Sequence, residues 1–480
     1  MNEAAPSFRV LSVDCFERPV RYRLPFRFGA ATVDTGVQAF VRARVRLLDG
    51  REAEGATAEL MVPKWFDKDP ARSNDDNIAD LRRSLRIAAD AYTHDPAART
   101  AFGHFAAHAR ACRVEGESLG MPALAASFGA AEVDRALLDA LCRALAASVF
   151  DVVRRDAIGF EPVAVAPDLA GFDASAFLGT QNAARTIAVR HTVGIVDALT
   201  GAPGKVRDGL PESLEEAIAR YGLRWFKLKL SGDARGDLVR LREIAAALDP
   251  LPDYRATLDG NEQYGEVDAL RELCSGLEHD PALARLASAL EYIEQPLPRG
   301  ATFEHDVGSV SSRFPLLVDE ADGTLDAFPR AAARGYRGVS SKSCKGLYKS
   351  LVNAARCAAW NAQRAPAVRH FVSAEDLTAP AGLAVQQDTA LAALLGLAHA
   401  ERNGHHYIDG MSGAAPSEQE AFARAHPAFY ERANGITRLK IANGALAVAA
   451  LHVPGFASAA LPDFATLSPL QDALPAPLRA

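Results

Sequence analysis

No run of eighteen apolar residues occurs in the chain, so the sequence offers no membrane-spanning helix. Positive charge is not in excess either. Lys and Arg number 53 against 60 Asp and Glu, a formal net charge of −7. A nucleic-acid binder shows a basic patch or balance, and neither is visible. Cysteine is scarce, six residues in 480, and none has C-x-x-C spacing. That argues against a disulfide framework or a zinc cluster and fits a reducing compartment. The opening MNEAAPSFRV lacks the basic and apolar regions of a secretory signal, so a cytoplasmic location is expected. No G-x-S-x-G or G-x-G-x-x-G follows a strand-like run, which leaves hydrolase and dehydrogenase readings unsupported. GAPGKV at 201–206 lacks the spacing of a phosphate loop.

What is present is a rhythm. From residue 185 onward, strand-like runs alternate with helix-like ones. TIAVRHTVGI, WFKLKL, YRATLDG, LEYIEQPL, FPLLVDEADG, GVSSKSC, RHFVSAED and HHYIDG read as eight strands. PESLEEAIARYG reads as one of the intervening helices, with a capping box at Ser213 and Glu216 and Gly222 at its end. Such alternation favours a parallel (β/α)8 TIM-type barrel, with an open doubly wound sheet as the alternative. Before the barrel, RYRLPFRFG and AFVRARVRLLDG read as strands. Ile78, Leu81 and Leu85, then Val133, Leu137, Leu141 and Leu145, form helical stripes. ITRLKIANGALAVAALHV suggests two late strands around Asn443-Gly444, a hairpin signal. The expected partition is an N-terminal cap over 1–128, a barrel over 129–424, and a segment over 425–480 that completes the cap.

In a parallel barrel the chemistry sits at the C-terminal ends of the strands. In WFKLKL, the second strand, Lys227 and Lys229 alternate with apolar residues. The third ends with Asp259, then Asn261; the fourth with Glu294; the fifth with Asp319-Glu320. The sixth carries Lys342, and Asp409 ends the expected eighth. Three converging carboxylates repel one another unless a cation neutralises them. Oxygen ligands alone favour a hard divalent ion, Mg²⁺ foremost with Mn²⁺ as its substitute. A lysine beside another cation and partly desolvated has a lowered pKa and can act as a base. Metal and lysine together suit removal of a proton next to a carboxylate, with an enediolate to be held.

Taken singly, each residue has an ordinary reading: a solvated strand face for the lysines, turn or helix caps for the acids. The ordered set does not. KLKL, LDGN, IEQPL, VDEADG and SSKSCKG, in this order and at these gaps, resemble the enolase superfamily. More narrowly they resemble its muconate-lactonizing and mandelate-racemase-like branches, over roughly 20–65 and 130–455. The resemblance implies a modified barrel with an α+β capping domain. It implies Lys229 as acid/base, Lys227 as its electrostatic neighbour, and Asp259, Glu294 and Asp319 as metal ligands. Lys342 on the sixth strand matches the muconate-lactonizing branch. Asn261, Glu320, Asp409, Glu375, Phe28 and Trp65 are expected to bind substrate or support the site. The last two lie in loops, around Phe26–Gly29 and Ala58–Trp65, that should overhang the barrel mouth.

The chain also departs from the pattern. Lys345-Gly346 replaces the usual glycine pair, and Lys345 reads equally as a surface charge or a site residue. A single Asp409 stands where dipeptide epimerases carry D-x-D. Glu375 and Asp376 are open between a site wall and a helix start. His405 and His406 read as packed residues first and substrate contacts second. The expected function is Mg²⁺-dependent proton abstraction from a small carboxylate, leading to racemisation, epimerisation, elimination or cycloisomerisation. The competing class is a catalytically silent barrel used for binding or assembly. The expected partners are the substrate and further copies of this chain, with no nucleic acid and no membrane.

Overall fold

The computed structural model describes residues 4–28, 31–181, 183–201, 204, 206, 208–363 and 368–471. The chain opens with an antiparallel meander, β1 (Phe8–Phe28), β2 (Ala31–Leu47) and β3 (Glu52–Met61). In β2, buried Val41, Ala43, Val45 and Leu47 alternate with Arg42, Arg44 and Arg46, the pattern of a sheet with one wet face. Three helices cover the dry face: α1 (Asn74–His94), α2 (Ala101–Ser118) and α3 (Ala123–Ala144). A reciprocal Ser73–Asp76 capping box starts α1.

α3 is buried on nearly every side, between β3, the other two helices and the barrel. It runs through position 128, so the expected end of the N-terminal cap lies inside a helix. Its small residues allow this burial. A Cβ on Gly55 would run into the backbone N of Ala140 and O of Ala136. One on Gly129 would run into the Ser84 carbonyl.

The barrel strands are β4 (Ile187–Val193), β5 (Trp225–Lys229), β6 (Arg255–Asp259) and β7 (Leu290–Glu294), then β8 (Leu316–Val318), β9 (Gly338–Ser341), β10 (Phe371–Ala374) and β11 (His399–Arg402). All eight are parallel, and β11 pairs with β4 through Glu401↔Arg190 to close the ring. The eighth strand corrects the sequence reading. It is HAER, while the first half of the expected strand HHYIDG lies in a short helix, Gly404–Tyr407. HAER hides because three of its four residues are polar. Glu401 points into a charged barrel interior, and Arg402 is buried on Asp388 at 2.8 Å.

The late hairpin is also corrected. The antiparallel pair is β12 (Tyr430–Ala433) and β13 (Ile436–Leu439), turning at Asn434-Gly435. Asn443 and Gly444, with φ of 52° and 72°, do make a tight turn. The strand after it, β14 (Ala445–Leu446), pairs with β4 of the barrel. Among the described residues the late chain joins the N-terminal sheet as a strand at β15 (Ser468–Pro469), beside Phe16 and Glu17 of β1, with the Phe464 ring against Phe16 and Arg42. No described helix is long and apolar enough to cross a membrane.

Because backbone faces backbone at Gly55, relief by side-chain movement is not available. Gly55→Ala should lower stability by about 3 kcal/mol, the upper end of overpacking costs, read as a shifted urea midpoint. An unchanged midpoint would mean that β3 and α3 are not in this contact.

Candidate active site

β6 ends on Asp259 and β7 on Glu294, paired in register, and Asp319 directly follows β8. All three are fully buried. They come from adjacent strands because the barrel sets consecutive strand ends side by side. Asp319 accepts from Ser340 Oγ, from Lys342 Nζ at 2.7 Å and from Trp65 Nε1 at 3.3 Å. Among the described residues Glu294 has no hydrogen-bond partner at either side-chain oxygen and is met by Lys227 alone, an ion pair at 2.7 Å. Burial, Asp259 and Glu375 push its pKa well above the usual carboxylate value, and Lys227 offsets this only in part.

Lys227 is the hub. Its Nζ lies 2.9 Å from Asp259, 2.7 Å from Glu294, 2.9 Å from Glu375 and 2.8 Å from Glu401. Burial alone would strip its charge. The four carboxylates, Asp259 first, outweigh burial and raise its pKa well above the usual lysine value. Two residues on, Lys229 Nζ donates to Asp259 at 2.7 Å and to Asn261 Oδ1 at 2.8 Å. Lys342 Nζ bonds Asp319 and lies 4.4 Å from the centre of the Trp65 ring, a cation–π contact. The lowered pKa expected of a base lysine is not what Lys342 shows. Burial pulls it down, but Asp319, with Glu294 and Glu401 behind it, outweighs burial and raises it.

The other expected residues divide. Asn261, at φ 41°, bridges Lys229 to Glu320, whose Oε1 it reaches at 3.2 Å. Glu375 lies within the network, 2.5 Å from Arg190 and 2.7 Å from the Tyr292 hydroxyl. Trp65 roofs the mouth. The Phe28 side chain lies outside the described residues. The neighbouring Phe26 ring is 5.9 Å from Lys229 Nζ. Asp409 ends no strand. It follows the short helix and pairs with Arg438 at 2.6 Å. Lys345 is buried, on Asp322 at 2.8 Å and Ser340 Oγ at 2.8 Å. Asp376 caps the following turn, accepting from Ala379 N and Asn403 N. His405 is packed, its Nε2 3.1 Å from His191 Nδ1. His406 is buried beside the same His191 ring.

Sequence reasoning missed Glu401, Arg190 and Lys68. Glu401 is the acid of the true eighth strand, held by Thr192 at 2.8 Å and Asn403 at 2.9 Å. Lys68 comes from the loop after β3 and bonds Glu320 at 2.9 Å and the Asn261 carbonyl at 2.6 Å. The only signal for it was its place three residues after Trp65. Arg299 ties the same loop down through the carbonyls of Phe66 and Trp65, at 2.8 and 3.1 Å. Under this roof lies a cavity of about 20 Å³, walled by Phe26, Trp65, Lys229, Asn261, Lys342 and Glu401 among others. That is room for about one water.

The donor set suits a hard divalent cation: buried oxygens only, with both Glu294 oxygens lacking a hydrogen bond. The ligands are not gathered into a closed shell. Among the described residues no three Asp, Glu, His or Cys side chains are grouped to hold an ion, and lysines take Asp259 and Asp319. Asp259, Glu294 and Asp319 are the residues that would hold one.

The family model described as enolase C-terminal domain-like matches residues 209–427. Among solved structures, an isomerase from Streptomyces coelicolor A3(2) is 18% identical with TM-score 0.58, covering 94% of this chain and 96% of its own. A muconate lactonizing enzyme from Mycobacterium smegmatis, complexed with muconolactone, is 16% identical with TM-score 0.59, covering 95% and 98%. A dipeptide epimerase from Methylococcus capsulatus, complexed with Mg and a dipeptide, is 16% identical with TM-score 0.53, covering 91% and 99%. At these identities the likeness is one of fold. No curated protein sequence matches the chain.

Lys227→Met should be the costliest single change at the barrel mouth. It leaves four carboxylates facing one another without their shared cation, at about 3–5 kcal/mol by analogy with broken buried pairs. Denaturant unfolding of Lys227→Met beside Lys229→Met reads this. Equal midpoints would mean that Lys227 is not the hub.

Proposed function

We propose that the chain, whose residues 209–427 match the model described as enolase C-terminal domain-like, is a Mg²⁺-dependent acid/base enzyme acting on a small carboxylate. The observation that carries the reading is the opposition of two lysines. Lys229 ends β5 and Lys342 follows β9, four strands apart in a ring of eight. Both residues line one cavity. A proton removed on one face of a substrate can then be replaced from the other.

Mg²⁺ held by Asp259, Glu294 and Asp319 would supply positive charge against the carboxylate as its α-carbon loses a proton. The chain's own residues do the rest. Lys229 takes or delivers the proton, its amine aimed by Asn261. Lys342 serves the other face or, in an elimination or cycloisomerisation, holds developing charge. Lys227 keeps the acidic ring together and does not reach the substrate. Trp65 and Phe26 shed water from the mouth. The segments before and after the barrel act in this reading as one cap, joined by the β1–β15 pairing. Epimerase and lactonizing enzyme both occur among the structural neighbours, and the lysine pair serves either outcome. A second reading, a barrel without turnover, draws on the lysines that occupy Asp259 and Asp319.

One experiment separates the readings. Acid sugars, N-acylated amino acids and dipeptides are screened for exchange of the α-proton in D₂O by NMR, with EDTA and with Mg²⁺ restored. Exchange should appear with at least one class, vanish with EDTA and return with Mg²⁺. Lys229→Ala and Lys342→Ala should each cost ~10²–10⁴-fold in turnover. Exchange indifferent to Mg²⁺, or near-normal turnover in Lys229→Ala, would refute the assignment.

A further inference from the structure

A second cavity, about 410 Å³, lies between α2, α3 and the barrel and shares no lining residue with the cavity under the roof. Its volume is that of a small-molecule site. Phe105 and Ala109 of α2, Ala130 and Ala131 of α3, Val165 and Leu325 give it apolar walls. Two ammonium groups, Lys345 and Lys349, only 6% and 7% exposed, form its charged end. Both lean on the same oxygen, Asp322 Oδ2, at 2.8 and 3.1 Å. Lys345 is further held by Ser340 Oγ at 2.8 Å and the Asp319 carbonyl at 3.1 Å. Among the described residues Lys349 has beyond this only the Asp322 carbonyl. Lys345 also faces Asp319 Oδ1 at 3.7 Å, so Asp322 is the one carboxylate against Lys349 and is shared with a second buried cation. Burial, and the repulsion of Lys345, bring the Lys349 pKa down to about 8.

The remaining charges at the cavity do not correct this. Arg356 is forked onto Asp168, 2.8 Å at each nitrogen, and Arg113 is on Glu117 at 2.6 Å. Asp326 accepts from Thr324 at 2.6 Å and faces Arg330 at 3.6 Å. Asp134 accepts from the Tyr92 hydroxyl at 2.8 Å, and burial raises its pKa well above the usual carboxylate value. At the rim Arg110 is exposed and makes no ion pair among the described residues.

We propose that this cavity is a second binding site, for a singly charged organic acid with an apolar body. Its carboxylate meets Lys349, its body lies along Phe105 and the alanines of α3, and Arg110 attracts it at the entrance. Lys349 gains the full counter-charge that Asp322 now divides.

Phenylacetate is the probe, phenylacetamide its neutral control, titrated calorimetrically into the full chain with EDTA present. Phenylacetate should bind wild type and Lys229→Ala alike, so that the barrel mouth is not the site. Lys349→Met, which leaves Asp322 one lysine and should fold, is expected to weaken it about tenfold, the loss of one charge-assisted bond. The exposed Arg110→Glu, which needs no core rearrangement, should weaken it about threefold or more. The amide should bind about tenfold more weakly than the acid. Equal binding of acid and amide, undiminished affinity in both variants, loss of binding in Lys229→Ala, or no saturable binding at millimolar acid would each overturn the proposal.

Discussion

The C-terminal face of the barrel hangs on one ammonium group. Lys227 Nζ is shared by acids from β6 and β7, from the residue after β10, and from β11. Burying any of these charges alone would cost several kcal/mol, so each is tolerable only while the others are in place. Arg190 extends the network to β4 by taking Glu375, and Thr192 and Asn403 fix the far oxygen of Glu401. An ordinary barrel fills this level with branched apolar side chains. Here ion pairs do that task, and they point the strand ends at a common centre. The position of Lys229 follows, because a strand places residue 229 one step above residue 227 on the same face.

The roof depends on the same charges. Trp65 donates to Asp319 and lies against Lys342, and Lys68 bonds Glu320 and the Asn261 carbonyl. The seam between cap and barrel is therefore polar at the mouth. Behind it, α3 packs by close backbone approach. A polar seam can open at small cost, since water can replace its bonds, whereas the α3 contact cannot slide without opening voids. In the proposed function, substrate entry therefore falls to the loop that carries Trp65 and Lys68, with the helices staying fixed.

Sequence made the barrel legible where a strand ended on an acid or a lysine, because barrel geometry sends all such ends to one face. Asp259, Glu294, Asp319, Lys229 and Lys342 all gather there. It failed where polarity disguised burial. HAER carries no apolar alternation, since Glu401 faces a charged interior and Arg402 an ion pair, so the more strand-like HHYI was preferred and Asp409 with it. Lys68 and Arg190 could not be found, because nothing local marks a surface-type residue that a distant carboxylate will bury. Lys345 was undecided for the same reason, and Asp322 settles its burial. Asn443-Gly444 fixed a turn but not the partner of the next strand, which is a tertiary choice.

The three mouth lysines are alike in chemistry and unlike in circumstance, and the difference bears on which can lose a proton. Lys227 is held by four acids and cannot be released by any one of them. Lys342 leans chiefly on Asp319, while burial and the repulsion of Lys227 both press it toward the neutral form. Without Asp319, the more weakly acting Glu294 and Glu401 are left to oppose those two influences. Asp319 is itself held low by Lys342, then Lys345 and Lys227, against burial. Its charge is thus the most contested at the mouth, and it cannot be given in full twice. The state of Lys342 therefore depends in part on what else Asp319 holds. The four acids around Lys227 have further partners of their own, Lys229 on Asp259 and Arg190 on Glu375, which help to keep them a fixed frame.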